Sequence, residues 1–322
     1  MDLFRLCLAF VGWPLAICAT VAAWLAQGGR FSARLDVLTH FAPIYIAAAL
    51  LAAAIGVLAP PRAGRSALLA TSALGLLGGA LLVAPELLGR GPAPRTAPGA
   101  PNQVRIVQFN AWGQNAETDA AAAWIASQEP DVVVLQEPGR LRAKLAAQGY
   151  RDLTGSDGAV ILSKRPAVRA HADPPAEGRP GFISWATFQD ARGEFTVVAT
   201  HRYWPVRFAR ERAQTAELNR VIQGLPRERL IVAGDFNSTP WSFARRREDR
   251  AWGLIRRTRA LFTWPAARRS HNRLPAPFPW LPIDHVYAGP GWATVQVVTG
   301  PELGSDHYPV VVTLAPAASG AR

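Results

Sequence analysis

The sequence predicts an α/β domain preceded by transmembrane helices. Three observations support this prediction: long apolar runs near the amino terminus, a Pro- and Gly-rich segment after them, and short apolar strands alternating with helical stretches in the remainder. The 322 residues, 49% of them hydrophobic, are enough for a membrane part and a sizeable soluble core.

The apolar runs cover residues 6–26, 41–59 and 67–84, and none has a charged residue in its interior. About 20 apolar residues cross the hydrocarbon core as a helix. We therefore predict a three-span transmembrane anchor over residues 1–88. A cleaved signal peptide is the alternative for the first run, because Arg5 precedes it and Ala22-Ala23 offers small residues. The uncharged interiors argue against a channel or transporter.

Cationic residues orient the anchor only weakly. Arg62 and Arg65 lie in the second loop, whereas Arg30 and Arg34 lie in the first and offset them. With three spans, a cytoplasmic amino terminus places the rest of the chain outside. We expect a multi-pass protein of a bacterial inner membrane with an extracytoplasmic domain. Both cysteines lie in the first run, so the domain has no thiol for a disulfide or a metal.

Residues 89–102 are predicted to be a linker, because residues 89–101 contain four prolines and three glycines. The α/β domain then covers 103–315, and a flexible tail covers 316–322. Within the domain we predict strands at 104–109, 131–135, 158–162, 182–188, 195–200, 230–233, 283–287 and 308–314, and helices at 119–127, 141–148 and 207–223. Such a mixture is typical of sheets packed between helices.

Polar side chains recur where the predicted strands begin or end. Ligand sites of α/β folds assemble at such strand ends. A single polar residue there is usually a turn or cap former, but a recurring set indicates a functional site. The set consists of Asn110, Glu137, His201, Asp235, Asn237, Asp284, Asp306 and His307.

This combination of side chains suits the hydrolysis of a phosphoester. The sequence shows no serine elbow and no Gly-rich phosphate loop. Glu137 and Asp306 offer the hard oxygen ligands that Mg²⁺ or Mn²⁺ prefers. Asp235 would orient or deprotonate a water, and Asn237 would fix its geometry or donate to a phosphate oxygen. The two histidines could donate to the developing negative charge.

The motifs of the chain resemble those of the endonuclease/exonuclease/phosphatase superfamily. The resemblance covers about residues 103–315 and implies a four-layer α-β-β-α sandwich of the DNase I-like type, with Mg²⁺-dependent attack of water on phosphorus. The matching segments are, in chain order, Gln108-Phe-Asn110, Leu135-Gln-Glu137, Thr200-His201, Gly234-Asp-Phe-Asn237, Ile283-Asp284-His285 and Gly304-Ser-Asp-His307.

The resemblance assigns a role to each carboxylate and carboxamide. It implies that Glu137 is the principal metal ligand, with Asn110 beside it and Asp306 near the metal. It further implies that Asp235 activates the attacking water and that Asn237 contacts the phosphate or the transition state.

The resemblance also assigns the histidines. It implies that His307 binds the scissile phosphate while Asp284 orients its ring, and that a charged partner of this kind favours the protonated imidazole. His201 takes the position of a second phosphate-binding or acid histidine. His285 alternates with Asp284 along a strand and should face the other way.

The substrate is the open part of the prediction. A membrane anchor favours a phosphodiester such as a lipid headgroup, ahead of a nucleic acid and then of a phosphomonoester. Ten arginines lie between Arg245 and Arg273, among aromatic residues. They could bind a nucleic-acid backbone or anionic headgroups, or reflect the composition of an Arg-rich chain.

Aromatic residues are predicted to form the walls of the substrate cleft, namely Trp204, Trp264 and Trp280. The alternative outside the enzymes is a catalytically silent phosphate-binding module. The presence of Glu137, Asp235 and His307 argues against it. No protein partner is implied.

Overall fold

The computed structural model describes residues 3–58, 64–88, 93–172, 182–266 and 278–318, with side chains from residue 10 onward. Part of the predicted linker and tail and the last three arginines of the basic stretch lie outside these residues. Contacts divide the chain into two compact units: Met1–Arg90 with Thr239–Glu248, and Gly91–Ser238 with Asp249–Arg322.

The first unit contains the apolar helices α1 (Leu3–Gln27), α2 (Ala33–Thr39), α3 (Ala42–Leu58) and α4 (Arg65–Leu88). By length and composition, α1 and α4 could each cross a membrane. Helices α2 and α3 are bent by 55° at a short break and add a third candidate span if the pair counts as one. The predicted apolar helices are therefore present, as two to three candidate spans.

Helices α1 and α4 pack closely through small and polar side chains. A Cβ atom on Gly78 would lie only 3.0 Å from the Ala23 methyl carbon. Thr20 Oγ1 donates to the Thr71 carbonyl at 2.8 Å, and Gln27 Nε2 donates to the Gly78 carbonyl at 3.0 Å. Small residues and side-chain hydrogen bonds of this kind are typical of helix packing in membranes. Many large apolar side chains of these helices stay exposed, among them Phe10, Leu50, Leu58, Leu77 and Leu88.

The second unit contains two six-stranded mixed sheets. The first has the order β11-β12-β1-β2-β4-β3, and the second the order β5-β6-β7-β8-β10-β9. The strands are β1 (Val104–Asn110), β2 (Val132–Gln136), β3 (Arg151–Asp152), β4 (Ala159–Ser163), β5 (Arg169–Ala172), β6 (Ile183–Asp190), β7 (Gly193–His201), β8 (Leu230–Asp235), β9 (Ile255–Arg256), β10 (Asp284–Ala288), β11 (Trp292–Thr299) and β12 (Val310–Pro316).

Helices cover the outer faces of both sheets. They are α5 (Thr118–Ser127), α6 (Leu141–Ala147) and α7 (Phe208–Gln223). A further helix, α8 (Phe243–Trp252), follows β8 in the chain. The eight predicted strands and three predicted domain helices are confirmed within two residues at each end. Strands β3, β5, β9 and β11 and helix α8 are additional.

Successive side chains of each strand point alternately to two cores: one between the two sheets, and one between a sheet and its helices. Even-numbered residues of β1, such as Ile106, belong to the core between the two sheets, together with residues of β8 such as Ile231. Odd-numbered residues of β1, such as Val107, pack instead with α5 and α6. Residue Val232 of β8 packs with Leu218 of α7 on the outside of the second sheet. Two sheets face to face with helices outside confirm the DNase I-like α/β sandwich.

The end of the predicted linker is bound to the first sheet. Thr96 N donates to the Thr294 carbonyl at 3.0 Å, and Thr294 N donates to the Pro94 carbonyl at 2.7 Å. This contact lies at the irregularity in β11 between Thr294 and Gln296. The described part of the linker is therefore an edge segment of the domain over residues 94–96.

Candidate active site

The polar residues of the site lie at strand positions whose side chains face the opposite sheet. Apolar inner positions fill the space between the sheets, and the same positions become polar at one end of each central strand. These end positions are Gln108, Asn110, Gln136, His201, Asp235 and Asp284. Pairing brings them together, because His201 is in register with Asp235 and Asp235 with Asp284.

Asp235 lies at the centre of the site and is buried. Its Oδ1 accepts a hydrogen bond of 2.8 Å from Asn237 N, and its Oδ2 accepts one of 3.0 Å from Asn110 Nδ2. The Nε2 atoms of His201 and His307 each lie 3.7 Å from the same Oδ2. Burial raises the pKa of the Asp235 carboxyl above its usual range, although the neighbouring histidines oppose this shift.

His307 is held by a chain of buried polar groups. Its Nδ1 donates to Asp284 Oδ2 at 2.8 Å, and Gln108 Nε2 donates to Asp284 Oδ1 at 2.9 Å. Burial alone would lower the pKa of His307, but the Asp284 and Asp235 carboxylates raise it to about 10. The ring is therefore an imidazolium at neutral pH, and its Nε2 lies 3.7 Å from Asp235 Oδ2.

Gly234 and Asn237 explain why the Gly-Asp-Phe-Asn sequence is needed at this strand end. A Cβ on Gly234 would lie 1.9 Å from the Thr200 carbonyl oxygen, so strand β7 could not pair this closely with any other residue. Asn237 has a positive φ of 47° and turns the chain so that its N–H reaches Asp235. Its Nδ2 donates to the Arg202 carbonyl at 2.8 Å, which fixes the turn to the end of β7.

Glu137 is the accessible carboxylate of the site. It follows β2 with a positive φ of 47°, and 42% of its side chain is exposed. Its Oε1 lies 3.4 Å from Asn110 Nδ2 and 3.8 Å from His201 Nε2. Asn110 Oδ1 accepts a hydrogen bond of 3.1 Å from Trp112 N. The Nδ2 atom of Asn110 therefore faces the carboxylates of Glu137 and Asp235.

Asp306 lies at the same opening, held by an aromatic residue. Trp264 Nε1 donates to Asp306 Oδ2 at 3.1 Å, and Ala266 N donates to the Asp306 backbone carbonyl at 2.7 Å. Glu137 and Asp306 both line the cleft and offer carboxylate oxygens, the ligand type that Mg²⁺ or Mn²⁺ prefers. Asn110 lies beside Glu137 with its nitrogen toward the carboxylate, because its oxygen accepts the Trp112 N–H.

Among the described residues, Asp235, Asp284 and His307 have ligand-type atoms that all lie within 4.8 Å of one another. Both Asp284 oxygens already accept hydrogen bonds, and the His307 ring uses its Nδ1 for one of them. This buried group is therefore better suited to holding a protonated histidine than to binding a cation.

These residues open into a cleft of about 360 Å³. It brings together most of the predicted site residues, but Asp284 lies behind His307 and Trp280 packs on Trp264 with ring centroids 5.9 Å apart. His285 points to the outer face, where its Nε2 lies 2.9 Å from the Ser238 carbonyl. The predicted residues that line the cleft are Asn110, Glu137, His201, Trp204, Asp235, Asn237, Trp264, Asp306 and His307.

Several cleft residues were not predicted. Phe182 stacks on His201 with ring centroids 6.0 Å apart, and Tyr203 and Arg207 line the opening. Gln108 and Gln136 are joined by a hydrogen bond of 2.8 Å beneath the site. The two glutamines occupy inner-face positions of otherwise apolar strands, and this signal is present in the sequence. The other three depend on loop conformations that the sequence does not show.

Two arginines of the basic stretch are used inside the protein, whereas Arg247 and Arg250 are exposed. Arg245 is buried and paired with Glu248. Arg257 is buried and donates to the carbonyls of Ala288, Gly289 and Trp292. Arg245 and Arg257 are therefore not available to bind a phosphate backbone.

Comparison with known proteins agrees with this geometry. Residues 107–307 match the sequence profile of the Endonuclease/Exonuclease/phosphatase family. No curated protein matches the chain. Among solved structures, an endonuclease/exonuclease/phosphatase from Bacteroides vulgatus is 23% identical with a TM-score of 0.54, covering 67% of this chain and 100% of its own.

Two further solved structures share the fold. An endonuclease/exonuclease/phosphatase from Beutenbergia cavernae DSM 12333 is 22% identical with a TM-score of 0.50, covering 67% of this chain and 72% of its own. A protein of unknown function from Enterococcus faecalis V583 is 17% identical with a TM-score of 0.51, covering 66% of this chain and 100% of its own. With its profile match, its two-sheet sandwich and its cleft of carboxylates and histidines, the chain belongs to the endonuclease/exonuclease/phosphatase family.

Proposed function

We propose that this protein is a membrane-anchored, divalent-metal-dependent phosphodiesterase that uses an activated water. One observation carries the proposal: the buried Asp235 carboxylate lies 3.7 Å from the Nε2 atoms of both His201 and His307. This arrangement places a proton acceptor beside two imidazole rings at the floor of an open cleft, which suits water attack on a phosphoester.

Asp235 accepts the proton of the attacking water in this proposal. Its burial raises the pKa of the carboxyl, which makes the carboxylate a stronger base than an exposed aspartate. The hydrogen bonds from Asn110 and Asn237 fix both of its oxygens, so little reorganisation accompanies proton transfer.

His307 stabilises the charge that develops on the phosphate. It is protonated at neutral pH because the Asp284 and Asp235 carboxylates raise its pKa to about 10. Its Nδ1–H is committed to Asp284, so Nε2–H is the donor that faces the cleft. His201 adds a second ring at the other side of Asp235, held in place by Phe182.

Glu137, Asn110 and Asp306 would hold Mg²⁺ or Mn²⁺. Glu137 and Asp306 would supply carboxylate oxygens, and Asn110 would orient Glu137 through its Nδ2. Glu137 is exposed enough to leave room for water and a substrate oxygen. The bound ion would polarise the phosphoryl oxygen and neutralise its charge.

A lipid headgroup or another small diester is the favoured substrate. The apolar helices indicate a membrane location, where such substrates occur. Buried Arg245 and Arg257 remove part of the support for a nucleic-acid interface. A nuclease and a catalytically silent phosphate-binding module are the alternatives. We further propose a three-span anchor in a bacterial inner membrane, which with a cytoplasmic amino terminus would place the domain on the extracytoplasmic side.

The test uses the full chain in detergent micelles with Mg²⁺, Mn²⁺ or EDTA. Substrates are phospholipid vesicles, bis(p-nitrophenyl) phosphate, p-nitrophenyl phosphate, single- and double-stranded DNA, and RNA. Glu137→Gln and Asp235→Asn should each reduce turnover by about 100-fold or more with unchanged thermal unfolding. The matched control is Asp157→Asn, because the Asp157 side chain is 91% exposed.

Each outcome has a defined meaning. Metal-dependent cleavage of lipid or small diesters that Asp235→Asn abolishes supports the proposal. Cleavage confined to nucleic acid supports the nuclease. Near-normal turnover by Asp235→Asn contradicts the assigned role of Asp235. Phosphate binding without turnover by any metal form supports the silent module.

A further inference from the structure

The loop between β7 and α7 forms one wall of the cleft. It lies entirely within the unit that holds the candidate site, and it begins directly after His201. Side chains from both halves of the loop line the cleft, namely Arg202, Tyr203, Trp204 and Arg207. The cleft volume of about 360 Å³ is large enough for a substrate group beyond the scissile phosphate. The loop is therefore placed to contact the substrate beside His201.

Buried hydrogen bonds fix the base of this loop. Gln214 of α7 is buried; its Nε2 donates to the His201 carbonyl at 2.6 Å, and its Oε1 accepts from Tyr203 N at 2.8 Å. Arg202 N donates to the Asp235 carbonyl at 2.9 Å. The loop backbone is therefore held in place relative to the catalytic residues, and its side chains are positioned before a substrate binds.

A β-turn brings an aromatic and a cationic side chain together at the mouth of the cleft. Arg207 N donates to the Trp204 carbonyl at 2.9 Å across the turn, and Pro205 occupies the second position, where proline is favoured. Trp204 is 46% exposed and packs edge-to-face on Trp264 with ring centroids 6.1 Å apart. Trp204 and Arg207 therefore present an apolar surface and a guanidinium as neighbours on the rim.

Arg202 and Arg207 line the same cleft in different environments. Arg202 is buried and forms an ion pair with Glu211. Arg207 is exposed, and Glu211, one helical turn away from it, also accepts a hydrogen bond of 3.0 Å from Thr215. Within the described part of the chain, no carboxylate forms an ion pair with the Arg207 guanidinium. Its charge is therefore available to an anionic group of a substrate.

Arg210 adds a second cation beside Arg207. Arg207 directly precedes α7 and Arg210 lies in its first turn, so the two are neighbours on the surface of the helix. Arg210 is exposed, and its Cζ lies 5.8 Å from the ring centroid of Tyr203, which lines the cleft. This stacking holds the guanidinium on the cleft side of the helix. Among the residues that the structure describes, no carboxylate pairs with Arg210 either.

We propose that Arg207 and Arg210 form a subsite for a second phosphate group of the substrate, next to the scissile diester. Two neighbouring guanidinium groups suit a phosphate, because each can donate two parallel hydrogen bonds to its oxygens. Trp204 packs against the group that joins the two phosphates. The substrate is then a diester of a headgroup that itself carries a phosphate. This inference rests on the proposed hydrolase function and names its substrate class.

The first test measures binding to the full chain in detergent micelles with EDTA. The probes are alkanediol bisphosphates of increasing chain length and alkyl monophosphates of the same lengths, titrated by isothermal calorimetry. The variants are Arg207→Gln, Arg207→Lys, and Arg207→Gln combined with Arg210→Gln. Arg192→Gln is the matched control, because Arg192 is exposed in the turn between β6 and β7, at the end of β7 opposite to His201.

At least one bisphosphate should bind about tenfold more tightly than its monophosphate, both to the unsubstituted chain and to the control. Arg207→Gln should lose most of this preference and the double variant all of it. Arg207→Lys should keep only part of it, because an ammonium group does not donate paired hydrogen bonds. Equal binding of both kinds of probe to the unsubstituted chain would overturn the inference, and so would a preference that survives in the double variant.

The second test measures turnover with Mg²⁺ or Mn²⁺. Phosphatidylglycerol and phosphatidylglycerol phosphate differ by one phosphate group, and release of phosphatidic acid or diacylglycerol reports cleavage of the diester alone. The unsubstituted chain should have a KM about tenfold lower for phosphatidylglycerol phosphate, and Arg207→Gln should remove that difference. A loss of kcat that is equal for both lipids would indicate a structural defect and would contradict the subsite.

The two tests separate this inference from the proposed function. If no substrate is cleaved, but the bisphosphate preference is present and is lost in Arg207→Gln, the hydrolase assignment fails and the subsite stands. If turnover is metal-dependent and neither binding nor KM shows the preference, the hydrolase assignment stands and the subsite fails.

Discussion

Gln108 donates a hydrogen bond of 2.9 Å to Asp284, joining the first sheet to the second beneath the active site. Asp284 in turn orients His307 through its other oxygen. We predict that Gln108→Met, which keeps the size and loses the donor, lowers kcat about fivefold with little change in KM. Gln108→Glu should be worse, because it sets a second carboxylate against Asp284. Steady-state kinetics on the full chain will check both, and equal rates for all three forms would contradict the role.

The stability of the metal-free protein should depend on pH through His307. The pKa of this residue is raised from 6.5 to about 10 in the folded state by Asp284 and Asp235, which outweigh burial. A raised folded pKa adds stability that is complete below pH 6.5 and is lost as pH rises through about 10. Thermal unfolding in EDTA should therefore shift to lower temperature across that interval.

Asp284→Asn provides the comparison for this pH dependence. It removes the largest favourable charge on His307, so its thermal midpoint should change less between pH 6.5 and 10 than that of the unsubstituted chain. Parallel curves for the two proteins would show that another group controls alkaline stability.

Gly234→Ala should destabilise the protein strongly. The added Cβ would lie 1.9 Å from the Thr200 carbonyl oxygen, and a backbone atom cannot move without breaking the pairing of β7 with β8. We expect a loss of more than about 2 kcal/mol, seen as a lower thermal midpoint. Gly113→Ala is the control, since a Cβ there meets no atom within 4 Å. Similar midpoints for the two variants would contradict the close-approach argument.

Trp264→Phe should weaken metal activation more than substrate binding. The change keeps an aromatic wall but removes the indole donor that holds Asp306 Oδ2 at 3.1 Å. If Asp306 lies near the metal, the Mg²⁺ concentration for half-maximal activity should rise about tenfold, as for other residues that orient metal-binding groups. Trp204→Phe, which lines the same cleft, is the control. An unchanged metal requirement would remove Asp306 from the metal's surroundings.

The number of spans can be checked with an accessible cysteine. Asp157→Cys in a chain with Cys7→Ser and Cys18→Ser places a thiol at a position that is 91% exposed in the native residue. Labelling with a membrane-impermeant maleimide, compared with an amino-terminal tag, shows whether the two lie on opposite sides. Opposite sides mean an odd number of spans, as we predict. The same side would mean that the bent pair α2 and α3 does not cross.

Sequence periodicity predicted the central strands because each is a buried apolar run that ends in a polar residue. It did not predict β5, where most residues are exposed, or β3 and β9, which have two residues each. The residues of helix α8 were interpreted only as part of a basic stretch. The amide of Phe243 at its amino terminus donates to Asp36, which is 207 residues away in the chain. Local sequence periodicity cannot predict a hydrogen-bond partner at that distance.

The candidate site shows the same difference between features that local patterns predict and features that depend on distant residues. Asp235, His307 and Glu137 were predicted as site residues because strand ends are visible in a sequence, and all three line one cleft. The function of Gln108 was not found, because its partner Asp284 is 176 residues away and on the opposite sheet. Loop residues such as Phe182 depend on backbone turns that composition does not specify.

The alternation of inner and outer faces limits how this protein can change in evolution. Replacing one apolar side chain of β1 with another leaves Gln108 and Asn110 facing the opposite sheet. Inserting or deleting one residue between Ile106 and Gln108 would turn both amides toward the helices and bring Phe109 to the inner face. Descendants of this chain are therefore free to drift in the identity of strand residues, but not in their number.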